Sequence, residues 1–168
     1  MTAEPGGRRR RTREPLLGRV VLVVGGGDPA AQAIALRLSA HGASLVVAGP
    51  ALTPVLATAG LAAASGGTAR VIEAPSPPLL GRALLEAARH VLAPPTDALV
   101  SAAAFSDPAD ARAAHGALEA LLGPGGITLL VEARPPGGVK AAAVAMAERF
   151  LARFDRPDST DSSAGRDG

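Results

Sequence analysis

The sequence predicts one α/β domain in which helices cover both faces of a parallel sheet. Short runs of β-branched and aliphatic residues alternate with segments of helical periodicity, five of each along the chain. The first of these runs is apolar from 20 to 24 without alternation, which is typical of a strand that is covered on both sides. Strict alternation produces parallel strands joined by right-handed crossovers. It leaves two strand orders open, 3-2-1-4-5 and 2-1-3-4-5.

The first strand and the first helix have the clearest local signals. The run 19–24, which is β-branched and aliphatic after Arg19, is followed by three glycines. Asp28 can then cap a helix, Pro29 suits its first turn, and Gly42 ends it. The predicted apolar face of this helix consists of Ala31, Ile34, Ala35 and Leu38.

The alternation continues to the end of the domain. Further strands are predicted at 44–48, 69–73, 98–102 and 127–131. Further helices are predicted from Thr53-Pro54 to about 66, from beyond the prolines at 75–78 to about 92, from Asp107-Pro108 to 122, and from about 139 to 154. The last helix has an apolar face made of Ala143, Met146, Ala147, Phe150 and Phe154.

The two ends of the chain differ from this body. Residues 1–15 are rich in arginine and residues 155–168 in Asp and Ser, so we expect a disordered arm and a disordered tail around a domain at 16–154. No aromatic platform accompanies the arginines, so a nucleic-acid partner is not expected. No apolar stretch approaches the ~20 residues needed to span a bilayer, and no membrane association is predicted.

Composition also bears on metals and on compartment. The chain has no cysteine, which suits a cytoplasmic protein. Its three histidines, His41, His90 and His115, lie far apart and in no ligand spacing, so no metal site is predicted.

The most informative motif is the glycine turn after the first strand, formed by Gly25, Gly26 and Gly27 and followed by Asp28 and Ala30. Glycine allows the backbone to approach a bulky anion, and the helix N-terminus offers free N–H groups and a positive dipole end to a pyrophosphate. A glycine-rich turn can also serve only to connect two elements, and Ala30 departs from the G-x-G-x-x-G pattern.

The residues around this turn resemble the start of the short-chain dehydrogenase/reductase (SDR) family. That family has a similar leader, a T-G-x-x-x-G-x-G turn and a helix close to A-I-A-x-x-L, and here 33–38 and 42–47 lie at the matching distances. Residues 97–104 resemble its fourth strand and N-N-A-G turn. The resemblance covers 16–104 and, more loosely, 126–154. It implies a three-layer Rossmann-like sandwich with five parallel strands in the order 3-2-1-4-5, and NAD or NADP as cofactor.

The resemblance also implies which positions contact the dinucleotide. Gly25 keeps the first glycine of the family's turn, while Pro29 and Ala31 stand at the second and third. Gly49 stands where the family often has an acid for the ribose, and Glu73 near its adenine-holding Asp. The implied cofactor-binding residues are Gly25, Gly26, Gly27, Asp28, Ala30, Gly49, Glu73, Ser101, Ala102 and Lys140.

The catalytic half departs further from the family, whose reaction uses a Tyr, a Lys four residues later and a Ser. This chain has no tyrosine. Lys140, its only lysine, stands about where the family's Lys lies, with Pro136 four residues before it, and Val131-Glu132 replace the Ser. Glu132 and Lys140 are therefore the candidate catalytic residues, since a glutamate can act as the acid. The alternative is that both are simply solvated.

Three hypotheses follow for function. The first is an SDR-like NAD(P)-binding protein without ordinary SDR catalysis, acting as a partner subunit or sensor. The second is an active NAD(P)-dependent oxidoreductase that uses Glu132 or a water as its acid. The third, a flavodoxin-like receiver, is disfavoured because strand three ends in Glu73 and strand four in Ser101-Ala102.

The last helix also suggests an interaction. Its Met146, Phe150 and Phe154 form a larger apolar face than a thin sheet requires. The SDR family commonly pairs subunits through the helices after its fourth and fifth strands. We therefore predict a homodimer through the last two helices.

Overall fold

A computed structural model describes residues 14–73 and 81–154 of the chain. Residues 1–13 of the predicted arm, the predicted tail and the prolines at 75–78 lie outside the described residues. In order, the elements are β1 (Val20–Val24), α1 (Pro29–Ala40), β2 (Ser44–Gly49), α2 (Leu52–Ala64), β3 (Ala69–Glu73), α3 (Gly81–Val91), β4 (Asp97–Ser101), a 3-10 turn (Ala102–Ala104), α4 (Pro108–Leu122), β5 (Thr128–Val131) and α5 (Gly138–Phe154).

The strands form one parallel sheet in the order β3-β2-β1-β4-β5. This confirms the Rossmann-like order and excludes the flavodoxin-like one. The central strands β1 and β4 are buried along their whole length, whereas the edge strand β3 is only partly covered. Uninterrupted apolarity in the sequence of β1 therefore indicated a strand that is covered on both faces.

Two separate cores lie on the two faces of the sheet. Val21 and Val23 of β1 face a core formed with α1, α2 and α5, and Val20, Leu22 and Val24 face a second core formed with α3 and α4. Alternate strand residues point to opposite faces, so one short strand contributes to both cores. The predicted apolar face of α1 is fully buried in the first core.

The apolar face of α5 is covered within the chain. Phe150 is fully buried, Ala143 and Ala147 are buried, and Met146 and Phe154 are half-buried against the first core. The predicted dimer through the last two helices stays a prediction, but the aromatic face that motivated it packs on the chain's own sheet.

Two boundaries differ from those predicted at the carboxyl edge. β4 begins at Asp97 and ends at Ser101, so Ala102 belongs to the 3-10 turn rather than to the strand. β2 continues through Gly49, which pairs with Glu73 of β3. Of the predicted site residues, Ala102 therefore lies just beyond the end of β4, and Gly49 is the last residue of β2.

Candidate functional site

A cleft of about 210 Å³ opens at the carboxyl edge of the sheet, where β1, β2 and β4 end. Its walls are the glycine turn, the residues after β2, the first turn of α2 and the 3-10 turn. The residues that line it include Gly25, Gly27, Asp28, Gly49, Ala51 and Ala103. In open α/β sheets, ligands bind outside the carboxyl ends of the strands where the strand order reverses, which in this sheet is at β1 and β4.

Close packing is sufficient to require glycine at all three positions of the turn. Gly25 has a φ of 78°, and a Cβ there would lie 2.5 Å from the Cβ of Ala104. Gly26 lies against Val47 of β2, and a Cβ on Gly27 would lie 2.6 Å from the Cβ of Pro54. The turn is therefore enclosed by β4, β2 and α2, and its glycines have a structural role whether or not a ligand binds.

Thr58 of α2 connects the turn to the neighbouring helices. Its buried hydroxyl donates to the carbonyl of Gly26 over 2.5 Å and accepts from the side-chain amide of Gln32 over 3.0 Å. The Gly26 carbonyl is thus bonded to α2. Nothing in the sequence pattern singled out Thr58, because its partners lie 32 and 26 residues away.

Few backbone donors remain at the tip of α1. The N–H groups of Gly25 and Gly26 both bond to the carbonyl of Ala48, over 2.8 and 3.3 Å. The Asp28 carboxylate accepts from the N–H of Ala31 over 3.3 Å, which confirms Asp28 as the helix cap, and Pro29 has no N–H.

Two donors at this tip lack an acceptor among the described residues, namely the N–H groups of Gly27 and Ala30. Such groups at a helix N-terminus can bind a phosphate. The Asp28 carboxylate competes with any such anion, because its negative charge already lies at the positive end of the helix.

The other predicted cofactor positions are distributed unevenly around the cleft. Gly49 lines it, but a Cβ there would lie 2.7 Å from the Cγ2 of Val55, so the Val55 side chain must shift before an acid can replace Gly49. Glu73 is exposed at the end of the neighbouring strand and is not among the residues that line the cleft. The side chain of Ala30 is buried.

Ser101 lies directly beside the glycine turn. A Cβ on Gly25 would lie 3.1 Å from the Cβ of Ser101, and the Ser101 side chain is fully buried. Its hydroxyl has no hydrogen-bond partner in the described part of the chain. Ala102, one residue further, lines a different cavity.

Two larger cavities flank the end of β5, and Glu132 lines both. One, of about 500 Å³, lies between β5 and α5 and also contains Met146 and Arg149. The other, of about 590 Å³, lies between the 3-10 turn and α4 and also contains Phe105 and Arg112. Ala103 lines this second cavity as well as the cleft, so the two are contiguous along the edge of the sheet.

The two catalytic candidates are not brought together. Glu132 and Lys140 are both exposed, and no ion pair or hydrogen bond joins them in the described residues. Lys140 lies on the first turn of α5 but lines neither cavity that contains Glu132. The geometry therefore favours the alternative in which Glu132 and Lys140 are both simply solvated.

The described residues were also compared with what a metal site and a membrane-spanning helix require. Within residues 14–73 and 81–154, no three His, Asp or Glu side chains cluster as metal ligands would. His115 instead bonds through Nε2 to the carbonyl of Thr128 over 3.0 Å and so connects α4 to β5. In the same ranges, no helix combines the length and apolarity needed to cross a membrane.

Solved structures with a similar fold are dehydrogenases. A hydroxysteroid dehydrogenase from Escherichia coli superposes with a TM-score of 0.58 at 21% identity, over 84% of this chain and 69% of that chain. The chain has the Rossmann-like fold of this dehydrogenase. A short-chain type dehydrogenase/reductase from Mycobacterium marinum aligns at 18% identity with a TM-score of 0.49, over 84% of this chain.

The likeness is one of fold, because the identities are low. This chain spans about half of the Mycobacterium marinum enzyme, 52% of its length. No family model matches the sequence, and no curated protein does either. The predicted Rossmann-like architecture therefore agrees with the fold of the Escherichia coli dehydrogenase.

Proposed function

We propose that the protein binds NAD or NADP by its adenosine end in the cleft beside Gly25–Gly27, and that it does not carry out ordinary SDR catalysis. The observation that supports binding is the position of the cleft. The glycine turn, the end of β2 and the 3-10 turn after β4 enclose it at the point where the strand order reverses.

The cleft fits one end of a dinucleotide. Its volume of about 210 Å³ is below the ~300–1,000 Å³ of typical small-molecule sites, so the rest of the cofactor would extend along the open edge toward Ala103. Pro54 and Val55 offer apolar surface for the adenine. The free N–H groups of Gly27 and Ala30 would donate to a phosphate.

Charge favours NAD over NADP. Asp28 is the charged residue among those that line the cleft, and no Lys or Arg accompanies it there. A 2′-phosphate would add negative charge beside this carboxylate without a cation to balance it. We therefore expect NAD(H) to bind more tightly than NADP(H).

The lack of ordinary catalysis is inferred from the missing proton relay. The chain has no tyrosine, Pro136 stands four residues before Lys140, and Lys140 is exposed. The bound cofactor would supply hydride chemistry, but no described side chain near Lys140 is arranged to move a proton to or from a substrate. Binding without turnover suits a partner subunit or a sensor.

Titration calorimetry with NAD, NADH, NADP and NADPH tests the binding proposal. Ala51→Leu should weaken binding by filling the cleft, and it removes no helix cap because Ala51 makes no side-chain cap bond. Ala113→Leu, an exposed position on α4 outside the cleft, is the matched control. Folded protein that gives no heat with millimolar NAD(H) would overturn the proposal.

A second candidate, an active oxidoreductase, rests on the location of Glu132 at both large cavities. It is tested by following NADH oxidation against a panel of aldehydes and ketones. Turnover that is lost in both Glu132→Gln and Lys140→Ala would establish this candidate and exclude the non-catalytic one. Absence of turnover in protein that binds NADH supports the first proposal.

A further inference from the structure

The outer edge of β5 has free backbone groups. In the described residues β5 pairs with β4 alone, and on that side the carbonyl of Ile127 accepts from the N–H of Ala98 over 2.9 Å. Backbone groups alternate in direction along a strand, so those of Thr128 and Leu130 point away from β4. The Thr128 carbonyl accepts from His115, whereas no described residue bonds to the outward N–H and carbonyl of Leu130. An unpaired edge of this kind can accept a further strand.

Hollows flank this edge on both faces of the sheet. The cavity of about 500 Å³ lies on the side of α5 and the cavity of about 590 Å³ on the side of α4, and Leu130 and Glu132 line both. The other walls are mainly apolar, with Met146 in the first cavity and Phe105 in the second. Both volumes are within the ~300–1,000 Å³ of typical binding sites. A strand paired with β5 would direct successive side chains to opposite faces, and thus one into each cavity.

Each cavity also has one arginine. Arg149 of α5 lines the first and Arg112 of α4 the second. Arg149 contacts the sulfur of Met146 at 4.0 Å, and neither arginine forms an ion pair within residues 14–73 and 81–154. Against the two arginines stands one acid, Glu132, so the charge around the cavities is positive. The cavities therefore favour an acidic ligand.

We propose that the outer edge of β5 binds an extended, acidic segment of another protein as an added strand. In this mode of recognition, main-chain hydrogen bonds supply affinity, and pockets for alternate side chains supply specificity. The segment has two neighbouring apolar residues for the two cavities, and Asp or Glu beside them for Arg112 and Arg149. A small carboxylate would fill one cavity but would leave the outward backbone groups of Leu130 unpaired.

The segments of this chain outside the described residues do not have these properties. Residues 155–168 are acidic but contain no Val, Ile, Leu, Met or Phe, and residues 1–13 carry five arginines. Residues 74–80 follow β3, which lies at the opposite edge of the sheet. We therefore assign the β5 edge to a separate polypeptide.

Fluorescence anisotropy of a dye-labelled peptide tests the proposal. The probe is an extended peptide with valine and phenylalanine in the middle and a pair of glutamates on each side. β5 has four residues, so the interface is smaller than the ~800 Å² per partner of a standard stable complex, and we expect a Kd of ~10–100 μM. A control peptide with lysines in place of the glutamates should bind at least ~5-fold more weakly. The full chain is used without cofactor, so the outcome does not depend on the proposed function.

N-methylation of single amides in the probe tests strand pairing directly. A methyl group on an amide that faces β5 removes a hydrogen bond, so it should weaken binding by ~10-fold or more. A methyl group on the next amide, which faces away from β5, should have little effect. Moving the methyl group along the probe should therefore give losses at alternate positions.

Charge variants of the protein test the role of the arginines. Arg112→Glu and Arg149→Glu should each weaken binding of the probe by roughly 5-fold. Arg70→Glu is the matched control, because Arg70 is an exposed arginine on β3, at the opposite edge of the sheet. All three variants should keep the wild-type circular dichroism spectrum.

Three outcomes would overturn the proposal. One is folded wild type that does not bind the probe at ~1 mM. Another is binding that N-methylation leaves unchanged at every position, which would assign the cavities to an apolar carboxylate rather than to a strand. The third is wild type that self-associates in sedimentation equilibrium and releases the probe as it does so, which would make a second copy of the chain the occupant.

Discussion

Arg19 and Asp97 form a two-pronged ion pair at the amino ends of β1 and β4, with Nε and Nη2 of Arg19 each 2.9 Å from a carboxylate oxygen. The Asp97 side chain is fully buried and also accepts from Thr96 Oγ1 and from the N–H of Ile127, both over 2.7 Å. The Arg19 guanidinium lies 4.4 Å from the ring centroid of Phe154. One carboxylate thus joins β1, β4 and the start of β5.

We predict that Asp97→Ala lowers the free energy of unfolding by about 3–5 kcal/mol, because it leaves a partly buried guanidinium and a buried N–H without their acceptor. Glu86→Ala is the control, since Glu86 pairs with Arg89 at 4.0 Å and both side chains are more than half exposed. Its effect should stay below ~1 kcal/mol. Urea denaturation of both variants measures the difference, and equal midpoints would contradict the assigned role of Asp97.

Gly25 and Gly116 should respond oppositely to alanine. Gly25→Ala forces a side chain into a left-handed backbone and against Ala104, so it should destabilise the fold by ~2 kcal/mol or more. Gly116 lies within α4, where an added Cβ meets open space, so Gly116→Ala should stabilise by ~0.5–1 kcal/mol. Thermal unfolding measures both changes. A neutral Gly25→Ala would show that the turn is looser than described.

Asp28 should oppose phosphate binding while it caps α1. Asp28→Asn retains a cap of similar strength but removes the negative charge, so NAD should bind several-fold more tightly with the thermal midpoint little changed. Asp28→Ala loses the cap and should cost ~1 kcal/mol of stability. Calorimetry and thermal unfolding give the two readouts separately. Weaker NAD binding in Asp28→Asn would indicate that the carboxylate contacts the cofactor favourably.

Phe150 tests whether α5 is an integral part of the core. The side chain is fully buried, so Phe150→Ala should cost about 3–5 kcal/mol through lost burial and a cavity. Val139→Ala on the same helix, where the side chain is 38% exposed, should cost less than ~1 kcal/mol. A small effect of Phe150→Ala in chemical denaturation would contradict the placement of α5 on α1.

The sequence predicted the architecture because its local signals agree with one another. Asp28 and Asp107 cap the helices they precede, each followed by a proline in the first turn, and the apolar runs became buried strands. The strand order came from the SDR resemblance rather than from the alternation, which permits two orders. Element boundaries at the carboxyl edge shifted by one residue, as at Ala102, because pairing with neighbouring strands decides where a strand ends.

The site was less predictable, because its contacts join residues that are distant in sequence. The contacts of Thr58 with Gly26 and with Gln32 join residues that are 32 and 26 positions apart. No local sequence pattern predicts these contacts. The glycine turn lines the cleft, but its sequence could not distinguish close packing from phosphate binding, and the structure shows that packing requires it.

The two edges of the sheet differ in their protection against unwanted association. β3 carries exposed Arg70 and Glu73, and charges on an edge strand discourage other chains from extending the sheet. β5 is uncharged along Thr128–Val131 and, in the part of the chain that the structure describes, pairs with β4 alone. Among its outward-facing backbone groups, the Thr128 carbonyl accepts from His115, and the remaining ones can pair with another chain. Aggregates formed during overexpression should therefore begin at β5, and a lysine at Thr128 should reduce them.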